Sequence, residues 1–450
     1  MPDVPSRRGR EAARFFSPLS GALQFVSFQS VKRIPTATIL TAWSLLNALW
    51  LHSSARADEP RAAQSAAPTF TVKLETVLKH DDGKFLWFHP RVAALPAPNQ
   101  AAAPEVVMTL QKHLHVSDYY SGLSVMRTAD LGATWTKPDA RPELDWVREP
   151  DGVIVAVCDV TPGWHAPSGK LLAIGSHLRY GKKGEQLEDR KRATGYAVHD
   201  PKTGTWSKWR TIKMPDGKKW DYARSACAQW LVQPDGSLLL PVYWGISPNK
   251  PHSVTVVQCA FDGERLRYLR HGDEIKLDKV RGLVEPSLVR FAGKYFLTIR
   301  NDLKGYVTAS GDGLRFAPIK PWTFDDGRDL GSYNTQQHWL AHSDGLFLVY
   351  TRRGANNDHI VRHRAPLFIA QVDPDKLQVI RKTERVLVPE RGASLGNFGA
   401  AAVNENESWV TVAEGIWNDD ARRRGAEGAV FVARVIWSKP NRLLSRQPGH

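Results

Sequence analysis

One unit recurs from about residue 70 onward. It consists of an apolar strand, a short glycine turn, a second apolar strand, a third strand, and a polar last strand carrying an aromatic. The clearest copy runs from Glu285 to Trp322 as PSLVRF, a turn at Ala292-Gly293, KYFLTIR, GYVTAS, a turn at Asp312-Gly313, and RFAPIKPW. Another starts at Gln229 with the turn Pro234-Asp235-Gly236, and another at His338 with the turn Asp344-Gly345. Further copies span Phe88 to Lys137, Cys158 to Ile212 and Phe398 to Trp437. Short apolar runs with period-two character between Gly, Asp, Pro and Asn turns read as β-strands. That makes six units of roughly 40 to 55 residues. A four-stranded meander cannot bury both faces alone. Six arranged radially can, and closure leaves only short, protected edges. The repeat therefore predicts an all-β chain, a six-bladed β-propeller of four-stranded antiparallel blades filling residues 70–450 as a single domain.

The residues before that domain carry a different signal. Lys32-Arg33 precedes an apolar stretch from Ile34 to Leu51, followed by Ser53-Ser54-Ala55-Arg56-Ala57 with small residues at the A-x-A positions. Basic, apolar and small-residue regions in that order describe an export signal over residues 1–57, with residues 58–69 as linker. Pro35, three threonines and a serine break the apolar stretch and weaken a spanning helix. We expect a secreted or periplasmic protein with no stable membrane span once the signal is removed. The net charge of +15 falls to about +10 without residues 1–57, which hold seven Arg/Lys and two acids. Arg190-Lys191-Arg192 and Arg422-Arg423-Arg424 are short, loop-like clusters, so no nucleic-acid partner is implied. Cys158, Cys227 and Cys259 sit in apolar runs without metal or framework spacing and read as buried thiols.

One turn is more specific. Thr128-Ala129-Asp130-Leu131-Gly132-Ala133-Thr134-Trp135 fits S/T-x-D-x-G-x-T-W, and Ser310 to Phe316 is a shortened copy. The Asp bonds turn amides, the Gly takes a positive φ, and the Trp packs under the hairpin. This turn is the Asp-box of sialidase-like propellers. With it, the chain resembles the exo-sialidase family from Arg91 to about Phe398. Glu285-Pro286-Ser287 followed by Leu297 to Asn301 looks like the family's Glu-Pro strand and second arginine. Phe88-His89-Pro90-Arg91 stands where the first arginine belongs, and Arg364 where the third does, with Arg352 and Arg353 as competitors. The resemblance implies that Arg91, Arg300 and Arg364 hold a substrate carboxylate, which guanidinium forks match bidentately. It implies Asp118 as acid/base and Glu285 as partner of the nucleophile. The family's nucleophile is a tyrosine, placed in the last blade. Here that window, Gly392 to Gly399, contains none, and Tyr333 and Tyr119-Tyr120 are the nearest substitutes.

Further polar, aromatic loops hold Arg353, His165, His338 and Asn301 as additional substrate contacts. His113-x-His115 sets two rings on one strand face, but with no clear third ligand no metal or other cofactor is expected. The expected function is a secreted sialidase-like glycoside hydrolase that removes a terminal acidic sugar from an anionic glycan. The alternatives are a glycan-binding propeller without catalysis, or a hydrolase or lyase of the same fold acting on another uronate-bearing glycan.

Overall fold

The structure is a computed structural model. It describes residues 67–97, 99, 102–114, 118–182, 184–187, 192–246 and 251–445. The expected export signal, most of the linker, and His115, Arg190 and Lys191 lie outside these residues. Among the described residues, no helix is long and apolar enough to cross a membrane.

Six small antiparallel sheets stand in a ring, one per repeat. The first blade orders Leu86–Ala94, Val106–His113, Tyr120–Thr128 and Asp139–Ala140 from axis to rim. The fourth repeats this with Val284–Phe291, Lys294–Arg300, Tyr306–Ser310 and Lys320–Pro321. Strands buried on both sides explain the near-continuous apolar runs, since each blade packs against two neighbours. Lys294–Arg300 is buried at every position after its first.

The sixth blade departs from the sequence reading. Gly399–Asn404, Glu407–Ala413 and Ala429–Trp437 supply only three strands. The fourth is Phe70–Lys79, paired antiparallel with Ala429–Trp437 from Phe70↔Trp437 to Lys79↔Ala429. Closure therefore joins the two ends of the domain, which a search for consecutive strands overlooks. Phe70 sits edge-on to both Trp437 and Phe347.

The Asp130 turn is built from its own side chains. Asp130 Oδ1 accepts from Thr134 N at 2.9 Å and from Thr128 Oγ1 at 2.8 Å, and Asp130 Oδ2 accepts from Thr134 Oγ1 at 2.6 Å. Gly132 takes φ +85°, and Trp135 tilts against Trp409 of the last blade. In the shortened copy, Asp312 Oδ1 accepts from the backbone amides of Leu314 and Arg315.

The blades are tied near the axis by side chains of the inner strands. Gln229 of the third blade donates from Nε2 to the carbonyls of Trp339 (2.9 Å) and Ala400 (3.0 Å), in the fifth and sixth blades. Its Oε1 accepts from Trp339 N at 2.7 Å. One side chain thus spans the axis, with both amide groups satisfied.

Candidate functional site

Four blades carry a non-glycine residue in left-handed conformation at the matching point of the chain: His89 (φ 54°), Asp159 (φ 56°), Cys227 (φ 53°) and Glu285 (φ 48°). Such conformations are uncommon and cost on the order of 1–3 kcal/mol each. In three of the blades the register shifts across the residue, between Phe88 and Arg91, Cys158 and Thr161, and Val284 and Ser287. A bulge there sets two residues of the inner strand against one of its partner and re-aims the side chain. The result is a polar ring at one end of the axis. His89 Nε2 lies 3.1 Å from Asp159 Oδ1, and Cys227 Sγ donates to the same oxygen at 3.1 Å.

Beside the ring, Arg300 Nη1 donates to Glu285 Oε1 at 2.6 Å, and Nη2 to Asn334 Oδ1 at 2.5 Å and Asp302 Oδ1 at 3.3 Å. Arg364 Nη2 donates to the Asn334 carbonyl at 2.5 Å, and Arg364 Nε has no partner among the described residues. Asn334 is itself left-handed (φ 50°) and joins the two guanidinium groups. Gly396 permits this: a Cβ there would lie 2.2 Å from Arg364 Cδ.

Burial and charge set the protonation states. Burial alone would raise the Glu285 carboxyl, but the Arg300 charge and hydrogen bond outweigh it and hold the pKa at about 2. Burial, with the Arg300 charge next, depresses Arg364 to about 9. His89 is held at about 3 by burial and then by Arg91, so its ring is neutral. Burial raises Asp159, against the pull of Arg91. Two buried guanidinium groups thus meet at Asn334, and the neighbouring carboxylates, Glu285 and Asp302, both bond Arg300.

The structure separates the sequence candidates. Glu285, Arg300 and Arg364 come together. Asp118, exposed and left-handed (φ 53°), is close enough for its charge to act on His89, and Tyr120 Oη donates to its carboxylate at 3.4 Å. Tyr333 is the residue before Asn334, but its hydroxyl lies 2.5 Å from His363 Nδ1 rather than on Glu285. His363 Nε2 in turn lies 3.2 Å from Asp358 Oδ1, and the exposed Arg353 guanidinium covers the Tyr333 ring at 4.0 Å. Arg352 is excluded as the third arginine, because Glu384 engages it at 2.8 and 2.7 Å.

Arg91 lies elsewhere. It follows His89 by two residues, past the bulge, and lines a cavity of about 290 Å³ along the axis. His338 also lines that cavity, with Nδ1 2.9 Å from Ser287 Oγ. His165 and Asn301 are structural: His165 bonds Ser168 Oγ and the Gly236 carbonyl in a far turn, and Asn301 donates to the Lys279 and Gly282 carbonyls. The three cysteines are free and buried.

Sequence reasoning missed Asp159, Cys227 and Arg224, whose guanidinium stacks on Tyr243 at 4.3 Å. The available signal was the polar residue breaking each inner strand: Phe-His-Pro, Cys-Asp-Val and Val-Glu-Pro occupy the same place in three repeats.

Solved structures share this architecture. The Trypanosoma rangeli sialidase superposes with a TM-score of 0.51 at 12% identity, over 82% of this chain and 60% of its own. The fold is that of the sialidases. A Hadza microbial sialidase gives 0.55 at 12% identity over 80% of this chain and 68% of its own, and the NanB sialidase of Streptococcus pneumoniae 0.54 at 9%, over 80% and 70%. The chain thus spans less than two thirds of the trypanosomal enzyme's length. No protein-family model matches the sequence, and no curated protein does.

Proposed function

We propose that this propeller is a glycoside hydrolase that removes a terminal acidic sugar, a sialic acid or a related ulosonic acid, after export. The observation that carries the reading is Arg364. It is a buried guanidinium with no carboxylate partner among the described residues, set against a second guanidinium, Arg300. A buried cation without a counter-charge is costly, and a ligand carboxylate would supply that charge through charge-assisted bonds.

The rest of the site fits a retaining displacement. Asp118 protonates the leaving glycosidic oxygen. Tyr333 attacks the anomeric carbon, and its proton passes to His363. The bonding order supports this: Asp358 only accepts, so His363 Nε2 donates to it and Nδ1 keeps a lone pair for the phenol. A base held by a third group is the usual arrangement around an activated nucleophile. Water, deprotonated by Asp118, then attacks the anomeric carbon, and as the bond to Tyr333 breaks the phenolate recovers its proton from His363. Glu285 stays ionised and holds Arg300 in place.

The test is release of 4-methylumbelliferone from its sialic-acid glycoside by the purified chain. Turnover that falls about 100-fold or more in Asp118→Ala and Tyr333→Phe supports the assignments. Absence of turnover by the folded wild type rejects this substrate, and full activity of Tyr333→Phe rejects the nucleophile.

A further inference from the structure

The axial cavity beneath the ring presents a second unbalanced charge. Arg91 is only 2% exposed, yet among the described residues Nε and Nη2 have no hydrogen-bond partner. Its one bond runs from Nη1 to the Val160 carbonyl at 3.3 Å. Among the described residues no carboxylate pairs with it. Asp159, on which the Arg91 charge acts, is engaged by His89 and Cys227. Thr161 Oγ1, in the same lining, also lacks a partner among the described residues. His338 does not add to the balance, because burial, and then Arg91 itself, keep it neutral with a pKa of about 3.

The enclosure is specific. Gly163, Trp339 and Ala400 of the inner strands and Gln229 just before one contribute to the walls, and Asn441 and Leu444 from the C-terminal segment line it as well. Gly399 lets Arg91 lie flat, since a Cβ there would come within 2.5 Å of Arg91 Cγ. A volume of about 290 Å³ exceeds the roughly 30 Å³ share of one water several-fold, so a hydrated small ion fits.

We propose that Arg91 and Thr161 hold a small inorganic monoanion of the halide type in the axial cavity, as a structural counter-ion separate from the sugar site. The anion accepts from Arg91 Nε and Nη2 and from Thr161 Oγ1. It supplies a direct counter-charge to a buried guanidinium that pairs with no carboxylate among the described residues. The inference holds whether or not the chain hydrolyses a glycoside.

Bromide is the probe. Crystals of the full chain soaked in sodium bromide are expected to show one anomalous peak within about 3.5 Å of Arg91 Nε or Nη2. The peak persists when N-acetylneuraminic acid is also present. In solution, replacing gluconate by 100 mM bromide at constant ionic strength raises Tm by about 3 °C for a Kd of about 1 mM, and Arg91→Met abolishes the response. Water alone at Arg91, or bromide only at surface sites, overturns the proposal. Displacement of bromide by the sugar overturns it too, because the cavity then belongs to the substrate. If Arg91→Met does not fold, the wild-type soak decides alone.

Discussion

Replacing Glu285 by glutamine probes the pair that organises the site. The carboxyl falls from an ordinary 4.5 to about 2 because Arg300 outweighs its burial, a difference worth about 3 kcal/mol of folding free energy above pH 5. Removing the charge also leaves Arg300 buried with only Asp302, at 3.3 Å, as a carboxylate partner, and breaking a buried pair costs roughly 3–5 kcal/mol. For a domain of roughly 390 residues the entropy of unfolding is about 0.8 kcal/mol/K, so Tm should drop by about 4 °C. The sign with pH follows from a depressed carboxyl. The stabilisation is complete above the unfolded pKa and is lost as pH falls through the folded one. The wild-type advantage over Glu285→Gln should therefore be constant from pH 8 to 5.5 and shrink between about 4.5 and 2. Calorimetry of both proteins across this range measures it. A difference that does not change with pH, or a Tm shift under 1 °C, refutes the pairing as the source of the stability.

Gln229→Ala should cost about 2–4 kcal/mol, because it strands Trp339 N and two carbonyls near the axis; chemical denaturation checks this. Truncation to residue 80 removes the strand that closes the sixth blade, and should give a protein that aggregates on exposing the Ala429–Trp437 edge, visible by light scattering. Gly132→Ala forces a Cβ into φ +85° and should lower stability by about 1 kcal/mol without altering the axial site, as measured by Tm. His89 and His338, both held near 3 by burial, are protonated only in the unfolded chain between about pH 6.5 and 3. Stability should decline as pH falls through that window, and less steeply in His89→Gln.

The number of blades was legible because each repeat writes its own strands and turns. Its closure was not, since the pairing of Phe70–Lys79 with Ala429–Trp437 joins segments that share no local pattern. The proximity of Glu285, Arg300 and Arg364 could be anticipated because the Glu-Pro strand and the strand ending at Arg300 pair within one blade and Arg364 meets them through Asn334. Arg91 lies apart from them: the bulge at His89 shifts the register, and the arginine lines the cavity instead. The link from Tyr333 to His363 depends on two loops whose left-handed residues, Asn334, Arg362 and His363, no periodicity announces.

The central claim is that Arg300 and Arg364 await a carboxylate. Calorimetric titration of the purified chain with N-acetylneuraminic acid and with its methyl ester, at pH 7, tests it most directly. The account predicts binding of the acid and a loss of about 10- to 100-fold for the ester, the range expected for charge-assisted bonds, with the preference abolished in Arg364→Met. Equal affinity for acid and ester, or a preference that survives in Arg364→Met, would contradict it.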